Sequence, residues 1–300
     1  VRWNRFCCLT YSPEMDFYAA FYYIPPMQCW MLLGGKNPLE ANSWKRLCDL
    51  PKQESPFLFF DQRPRWFGRY LCFGDRQSAT ILTMNPQGVE RVQRFPLPKA
   101  QHPCRFACDG LGRILLAHDE ETYCFENGSL SPLGFHILSG DGFNGSIPVP
   151  ETGRLVMCGF SDREVVARLL ELDIDTRRCR ATRMQNVDPW SVLLPFGEDW
   201  VLVKGACDSM RLDFARLWNR TTGEVLRIRP GMFGSEKLEH IGRLSDSRVV
   251  LTTLRSHVGQ VVHFPADFWN FLRSASRPQT LEPMQPCEAL YPDIPLTQPE

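Results

Sequence analysis

Several things that would announce a function are missing from this sequence. No charge of one sign is in excess. The 34 Lys plus Arg are matched by 34 Asp plus Glu, so no whole-chain field draws the protein to nucleic acid or to a membrane surface. There is no Cys-x-x-Cys pair, which removes the commonest zinc and redox spacing. No Gly-x-Ser-x-Gly elbow, phosphate loop or dinucleotide fingerprint occurs, so no catalytic class is indicated by motif. Uncharged runs are rare as well. The longest to consider, Phe17 to Gly35, has 19 residues, close to a membrane span in length. It carries Pro25-Pro26 at its middle, and a Pro pair breaks a helix. The reading is two strands, Phe17–Ile24 and Gln28–Leu33, with no membrane span.

What is present describes a folded chain. Apolar residues make up 43% and charged residues 23%, proportions that exclude disorder as the main state. Twelve cysteines stand out. Many of them sit inside apolar runs, such as Gln28-Cys29-Trp30, Leu71-Cys72-Phe73 and Met157-Cys158. A thiol behaves there as a small hydrophobe, and a chain of this size needs no staples. Free thiols in the core, and with them a cytoplasmic location, are therefore expected; a disulfide framework in a secreted protein is the alternative.

A repeat governs the rest. Compact apolar runs begin at Cys29, Arg69, Arg113, Arg154, Trp200 and Arg248, spaced 40, 44, 41, 46 and 48 residues apart. Each follows a turn and leads through a polar loop to an alternating strand, a second turn and a last strand. The clearest unit runs from Asp188 to Arg229, where the turn Asn219-Arg-Thr-Thr-Gly223-Glu places Gly223 at the position needing positive φ. A period in the forties made of short strands is that of a propeller blade. The nearly unbroken apolar character of the central runs fits strands covered on both faces.

Over residues 3 to 265 this organisation resembles the β-propeller superfamily, in period and strand pattern. The WD40 and Kelch signatures are absent, Leu217-Trp218-Asn219 being the nearest approach, so no functional residue carries over by motif. The resemblance implies an all-β fold: a single β-propeller of about six four-stranded blades over residues 1–273, followed by an extended Pro-rich tail over 274–300. The strand-like segment Arg2–Thr10 lacks a blade of its own and is expected to complete the last blade and close the ring. Ala266–Arg273 reads as a short C-terminal helix.

Candidate sites are sparse. His102-Pro-Cys104-Arg-Phe-Ala-Cys108 has zinc-ligand residue types, as do His118, which is followed by three acids, and Asp141 in a Gly-rich turn; none completes a metal site in one dimension. Trp66, Trp190, Trp218 and Trp269 lie near loops or strand ends and are candidate interaction anchors. Arg178 and Arg180 share one face of a strand by alternation and would suit an acidic partner. Nucleic acid is not expected, since aromatics for base stacking are not interleaved with these charges. No catalytic residue and no cofactor are assigned. The resemblance implies a non-catalytic scaffold or sensor that binds a protein partner, as propellers do in bacterial multi-protein systems. The alternatives are a metal-dependent hydrolase or lyase with acids and His at the channel mouth, and a secreted ligand- or glycan-binding propeller.

Overall fold

The computed structural model describes residues 6–12, 14–24, 29–37, 40–49, 64–119, 121–137, 140–160, 167–184, 187–188, 191–196, 199–204, 216–227, 238–245, 248–253, 259–263, 279–287 and 290–292. Apart from two short 3-10 turns, all regular structure here is strand.

The first sheet has the order β1 (Phe6–Ser12), β2 (Phe17–Ile24), β3 (Cys29–Gly35), β4 (Lys45–Asp49). The second is β5 (Arg65–Phe67), β6 (Tyr70–Gly74), β7 (Ser78–Asn85), β8 (Gly88–Pro96). The third is β9 (Arg105–Cys108), β10 (Ile114–His118), β11 (Glu121–Glu126), β12 (Ser129–Pro132). A connecting strand, β13 (Phe135–Ile137), leads to the fourth sheet: β14 (Ile147–Val149), β15 (Arg154–Phe160), β16 (Ala167–Asp173) and β17 (Arg178–Thr182). The fifth is β18 (Val192–Phe196), β19 (Trp200–Lys204), β20 (Arg216–Asn219) and β21 (Glu224–Arg227). A sixth sheet has three strands among the described residues: β22 (Leu238–Ser245), β23 (Arg248–Thr253) and β24 (Gly259–His263).

The first strands stand together at the centre. β1 lies beside β5 and β22, β14 beside β9 and β18, and β18 beside β22. Five full blades and the three-stranded sheet thus form a ring. Membership of the core layers shows how the blades stack. Leu71 and Phe73 of β6 pack against Ala19, Phe21 and Leu32 of the first blade, while Cys72 between them faces the third blade's Phe106, Ile114 and Leu116. In β10, Leu115 and Ala117 turn the other way, toward Leu155 and Met157. In β15, Val156 and Cys158 face Leu193, Val201 and Trp218 of the fifth blade. Period-2 alternation thus feeds two layers from each middle strand, which is why these strands read as unbroken apolar runs.

The hairpin from third to fourth strand is closed the same way in three blades. Asn85 accepts the N–H groups of Gln87 and Gly88, Asp173 that of Thr176, and Asn219 those of Thr221 and Thr222. These Asx turns are the periodic polar signal of the sequence. Gly223, as expected, has φ +73°.

Two expectations change. The N-terminal strand does not complete the last blade: β1 pairs with β2, from Phe6 opposite Tyr22 to Ser12 opposite Phe17. The run beginning at Cys29 is a third strand, whereas those at Arg69, Arg113, Arg154, Trp200 and Arg248 are second strands. The slip by one strand made the first strand look spare. The described part of the tail is extended, and its three strands pair with earlier strands of the chain. β25 (Gln279–Thr280) pairs with β21, β26 (Gln285–Cys287) with β17, and β27 (Leu290–Pro292) with β13. The segment expected to be helical, Ala266–Arg273, lies outside the described residues. The charge-free stretch from Phe17 is the antiparallel pair β2–β3. Among the described residues no helix is long and apolar enough to cross a membrane.

If the layers carry the stability, Leu115→Ala, made at a fully buried position between the third and fourth blades, should cost about 2–5 kcal/mol. A shift of the urea unfolding midpoint measures it. A loss below about 0.5 kcal/mol, the level of an ordinary surface change, would contradict the layer assignment.

Candidate functional site

Strand geometry decides what the metal candidates can do. Cys104 directly precedes β9 and Cys108 ends it. Four residues along a strand span about 13 Å, whereas two thiolates on one zinc lie about 4 Å apart. Cys104 is buried between the second and third blades, its Sγ 3.7 Å from the Ser78 carbonyl oxygen. The Cys108 thiol donates to the Asp109 carbonyl oxygen at 3.2 Å. His102 is exposed and lies 3.6 Å from the Asp119 carboxylate, which also accepts the backbone N–H groups of Gln101 and His102. His118 is buried, with Nε2 3.4 Å from the Arg76 carbonyl oxygen. Asp141 belongs to the 3-10 turn Gly140–Gly145. Among the described residues, no three His, Cys, Asp or Glu side chains come close enough to hold a metal ion.

The aromatic candidates divide. Trp218, in β20, is buried in the layer shared by the fourth and fifth blades. It packs the core and is not a surface anchor, because the third strand of a blade is covered on both faces. Trp66 is half-buried between the first two blades, edge-on to Phe17 at 6.2 Å. Its indole N–H is buried and meets no acceptor among the described residues. Trp190 and Trp269 lie outside the described residues.

Arg178 and Arg180 are exposed on β17 with Cys179 turned inward between them, the alternation expected. Carboxylates in the same sheet offset them. Arg178 is opposite Asp173. The Glu171 carboxylate accepts from Arg180 at 2.7 Å and from Arg154 at 2.9 Å, tying three strands together.

A further polar cluster escaped the sequence reading. Asp109, with no exposed side-chain surface, accepts Arg113 Nε at 2.6 Å and the backbone N–H groups of Leu111 and Arg113. Arg113 Nη1 reaches Asp175 of the fourth blade at 2.7 Å. Burial opposes the Arg113 charge, yet the Asp175 and Asp109 carboxylates hold its pKa above the usual value. Beside this cluster the Gly110 N–H donates to the Arg154 carbonyl and the Glu151 N–H to the Gly110 carbonyl. A Cβ on Gly110 would lie 1.6 Å from the Val149 carbonyl oxygen, so the turn needs glycine for close approach. The cluster locks two blades together. Its sequence signal, Asp109-Gly-Leu-Gly112, is that of an ordinary turn.

The rim of the disc differs in character. The outer strand β8 has nine residues and ends its sheet, with Glu90, Arg91, Val92 and Arg94 exposed. The outer strands β17 and β21 are instead covered by the tail. Thr182 Oγ1 donates to the Glu282 carbonyl at 2.7 Å, and the Leu281 N–H to the Gly223 carbonyl at 2.8 Å. Leu281 and Met284 pack on the layer that holds Trp218. Pro286 stands opposite Arg180, a placement open to proline only at a sheet edge.

No family model matches the chain, and no curated protein matches it. Solved structures do. The β-propeller domain of the trilobed protease from Pyrococcus furiosus, described as having an open velcro topology, aligns at 12% identity over 92% of this chain and 81% of that one, with a TM-score of 0.50. The chain is a β-propeller. Also similar are an acylaminoacyl peptidase in complex with Z-Gly-Gly-Phe-chloromethyl ketone (12% identity, 87% of this chain, TM-score 0.49) and Kuenenia stuttgartiensis hydrazine synthase (9% identity, 89% of this chain and 78% of that one, TM-score 0.49). The propeller spans 44% of the peptidase chain. At these identities the likeness is one of fold.

The cysteine environments give a pH prediction. Burial first, and the nearby Asp75 carboxylate second, push the Cys104 thiol from its ordinary 9.0 up to about 12; burial pushes Cys108 to about 12 as well. Burial also raises Cys72 and Cys158 well above the usual range. Between about pH 9 and 12 the folded chain keeps protons that the unfolded chain has lost, so this contribution to stability is whole below pH 9 and falls as pH rises. Native alkylation at neutral pH should spare Cys72, Cys104 and Cys158, and the urea midpoint should drop above pH 9. Labelling of these three as fast as in the denatured chain would contradict the assignment. The blade lock gives a second prediction. Arg113→Ala strands a buried carboxylate and should cost about 3–5 kcal/mol, with Arg113→Lys recovering part; equal stability of all three proteins would show that the cluster does not lock the blades.

Proposed function

We propose that this propeller is a non-catalytic interaction module, a scaffold or sensor subunit in a cytoplasmic multi-protein system. It recruits a partner by adding an extended partner segment to an outer blade edge. The observation that carries the reading is the tail itself. Three short stretches, β25, β26 and β27, lie as added strands on β21, β17 and β13, so the rim of this disc is a surface that takes extended chain. Backbone hydrogen bonds supply affinity in that mode, and alternate side chains supply specificity.

The edge best suited to a foreign strand is β8. It is long, its proline stands only at its last position, and among the described residues its sheet ends with it. Arg91 and Arg94 lie exposed on either side of Val92, which is 44% exposed. Charges on an edge resist pairing with a second copy of the same strand and favour a segment of opposite sign. An acidic segment with an apolar residue at its centre is the partner that this edge fits. The likeness to a propeller domain of a larger protease is consistent with a module that works beside other domains.

Co-purification from the native host with the wild-type chain and with R91E/R94E tests the proposal. A partner recovered with the wild type and reduced about tenfold or more in the variant, at unchanged circular dichroism, is the expected result. A partner that binds both equally would remove β8 from the reading; no partner at all would remove the interaction role.

A further inference from the structure

The strand pairing that fixes the tail brings two cysteines together. In the β17–β26 ladder Cys179 is directly opposite Cys287, although 108 residues separate them in the chain. Their sulfur atoms are 2.9 Å apart. Cys179 is buried, 5% exposed, in the layer between the third and fourth blades, and Cys287 is half-buried against the same layer. Directly opposed residues in an antiparallel pair have Cα atoms about 4.5 or 5.5 Å apart. Both distances fall inside the range of about 4.4–6.8 Å that a disulfide spans, so a bond could close with side-chain rotation alone.

We propose that Cys179 and Cys287 are a redox pair whose disulfide locks the C-terminal tail onto the rim of the fourth blade. The oxidant is a small disulfide such as glutathione disulfide. Cys287 is the more accessible thiol. It loses its proton and attacks one sulfur of the oxidant, forming a mixed disulfide and releasing one thiolate. Cys179 then loses its proton and attacks the Cys287 sulfur, forming the internal disulfide and releasing the second thiolate. The two protons end on the two released thiols, and the two electrons given up by the cysteines reduce the oxidant. In a reducing cytosol the pair stays as thiols; an oxidising shift closes it. The loop so closed contains the fifth blade and the sixth sheet. The disulfide thus ties the tail that follows the sixth sheet to the fourth blade by a covalent strap. The proposal does not depend on the β8 docking reading.

The test equilibrates the whole chain with defined ratios of glutathione and its disulfide, blocks remaining thiols, and maps peptides without reduction. The expected result is one internal linkage, Cys179 to Cys287, with ten of the twelve thiols still titratable in denaturant. Oxidation should raise Tm by about 5–10 °C. C287A, which removes a half-buried thiol from the strap, should show neither the linkage nor the rise, and C179S is the second control. Alkylation of both cysteines in excess glutathione disulfide would overturn the proposal, as would linkage of either to a different cysteine. A linkage without a change in Tm would overturn the lock.

Discussion

Burial of the middle strands on both faces is the constraint on which this structure depends. A sheet with one wet face can alternate apolar and polar residues. A propeller blade cannot, because each face of its second and third strands meets a neighbouring blade. The burial patterns show the consequence: β10 is buried throughout and β7 at all six of its inner positions, while β8 beside β7 is largely open. Residues adjacent in one strand belong to different layers, as Leu115 and Leu116 do. A layer is thus shared property, and a defect in one strand is felt by two blades. Cysteine suits such positions because it is small and apolar when protonated, and burial keeps it protonated, as at Cys158. Polar locks such as Asp109–Arg113–Asp175 occur at blade ends, where the turns of two blades meet outside the layers.

The same constraint explains what could be read without a structure. Strands buried on both faces appear as compact apolar runs, and Asx turns close the hairpins at a regular interval, so the period, the all-β class and most strand positions were legible. The run expected to begin at Arg154 is β15, Arg154–Phe160. The constraint also caused the slip in strand order. Second and third strands are equally buried, so an apolar run does not say which it is. Cys29-Trp-Met-Leu-Leu33 is as apolar as the second strands of later blades, and taking it for one left the N-terminal strand without a place. Loop length carries no correction, because insertions in surface loops cost little.

Site residues were less legible, for reasons of distance. Alternation along β17 fixed the faces of Arg178 and Arg180, since that is a local property. It did not reveal that Asp173 and Glu171 on the neighbouring strand offset them, which depends on register. Trp218 looked like a loop-edge anchor because a turn follows it; its burial is set by the blade beside it. The Cys179–Cys287 contact joins residues far apart in sequence, and only the path of the tail brings them together. Composition said that the tail was extended, not which edge it would meet.

That path bears on how the ring holds. A circular stack of sheets has two chain ends to join, and the first strand here stays in its own sheet, merely lying beside β22. Contact between first strands at the centre is the only join the described strands provide there, and central strands are narrow. The tail supplies a different restraint, away from the centre. Its strands pair in turn with the fifth blade, the fourth blade and β13, so it ties these consecutive parts of the ring to one another. Short strands of two or three residues are weak one by one. Spread over three attachment points they act together, since releasing one leaves the others to keep it near its edge at high effective concentration. Pro286 adds to the arrangement: it lacks the N–H that a further strand would need, so the edge made by β26 is a poor template for another strand, whereas among the described residues no strand pairs with the outer side of β8.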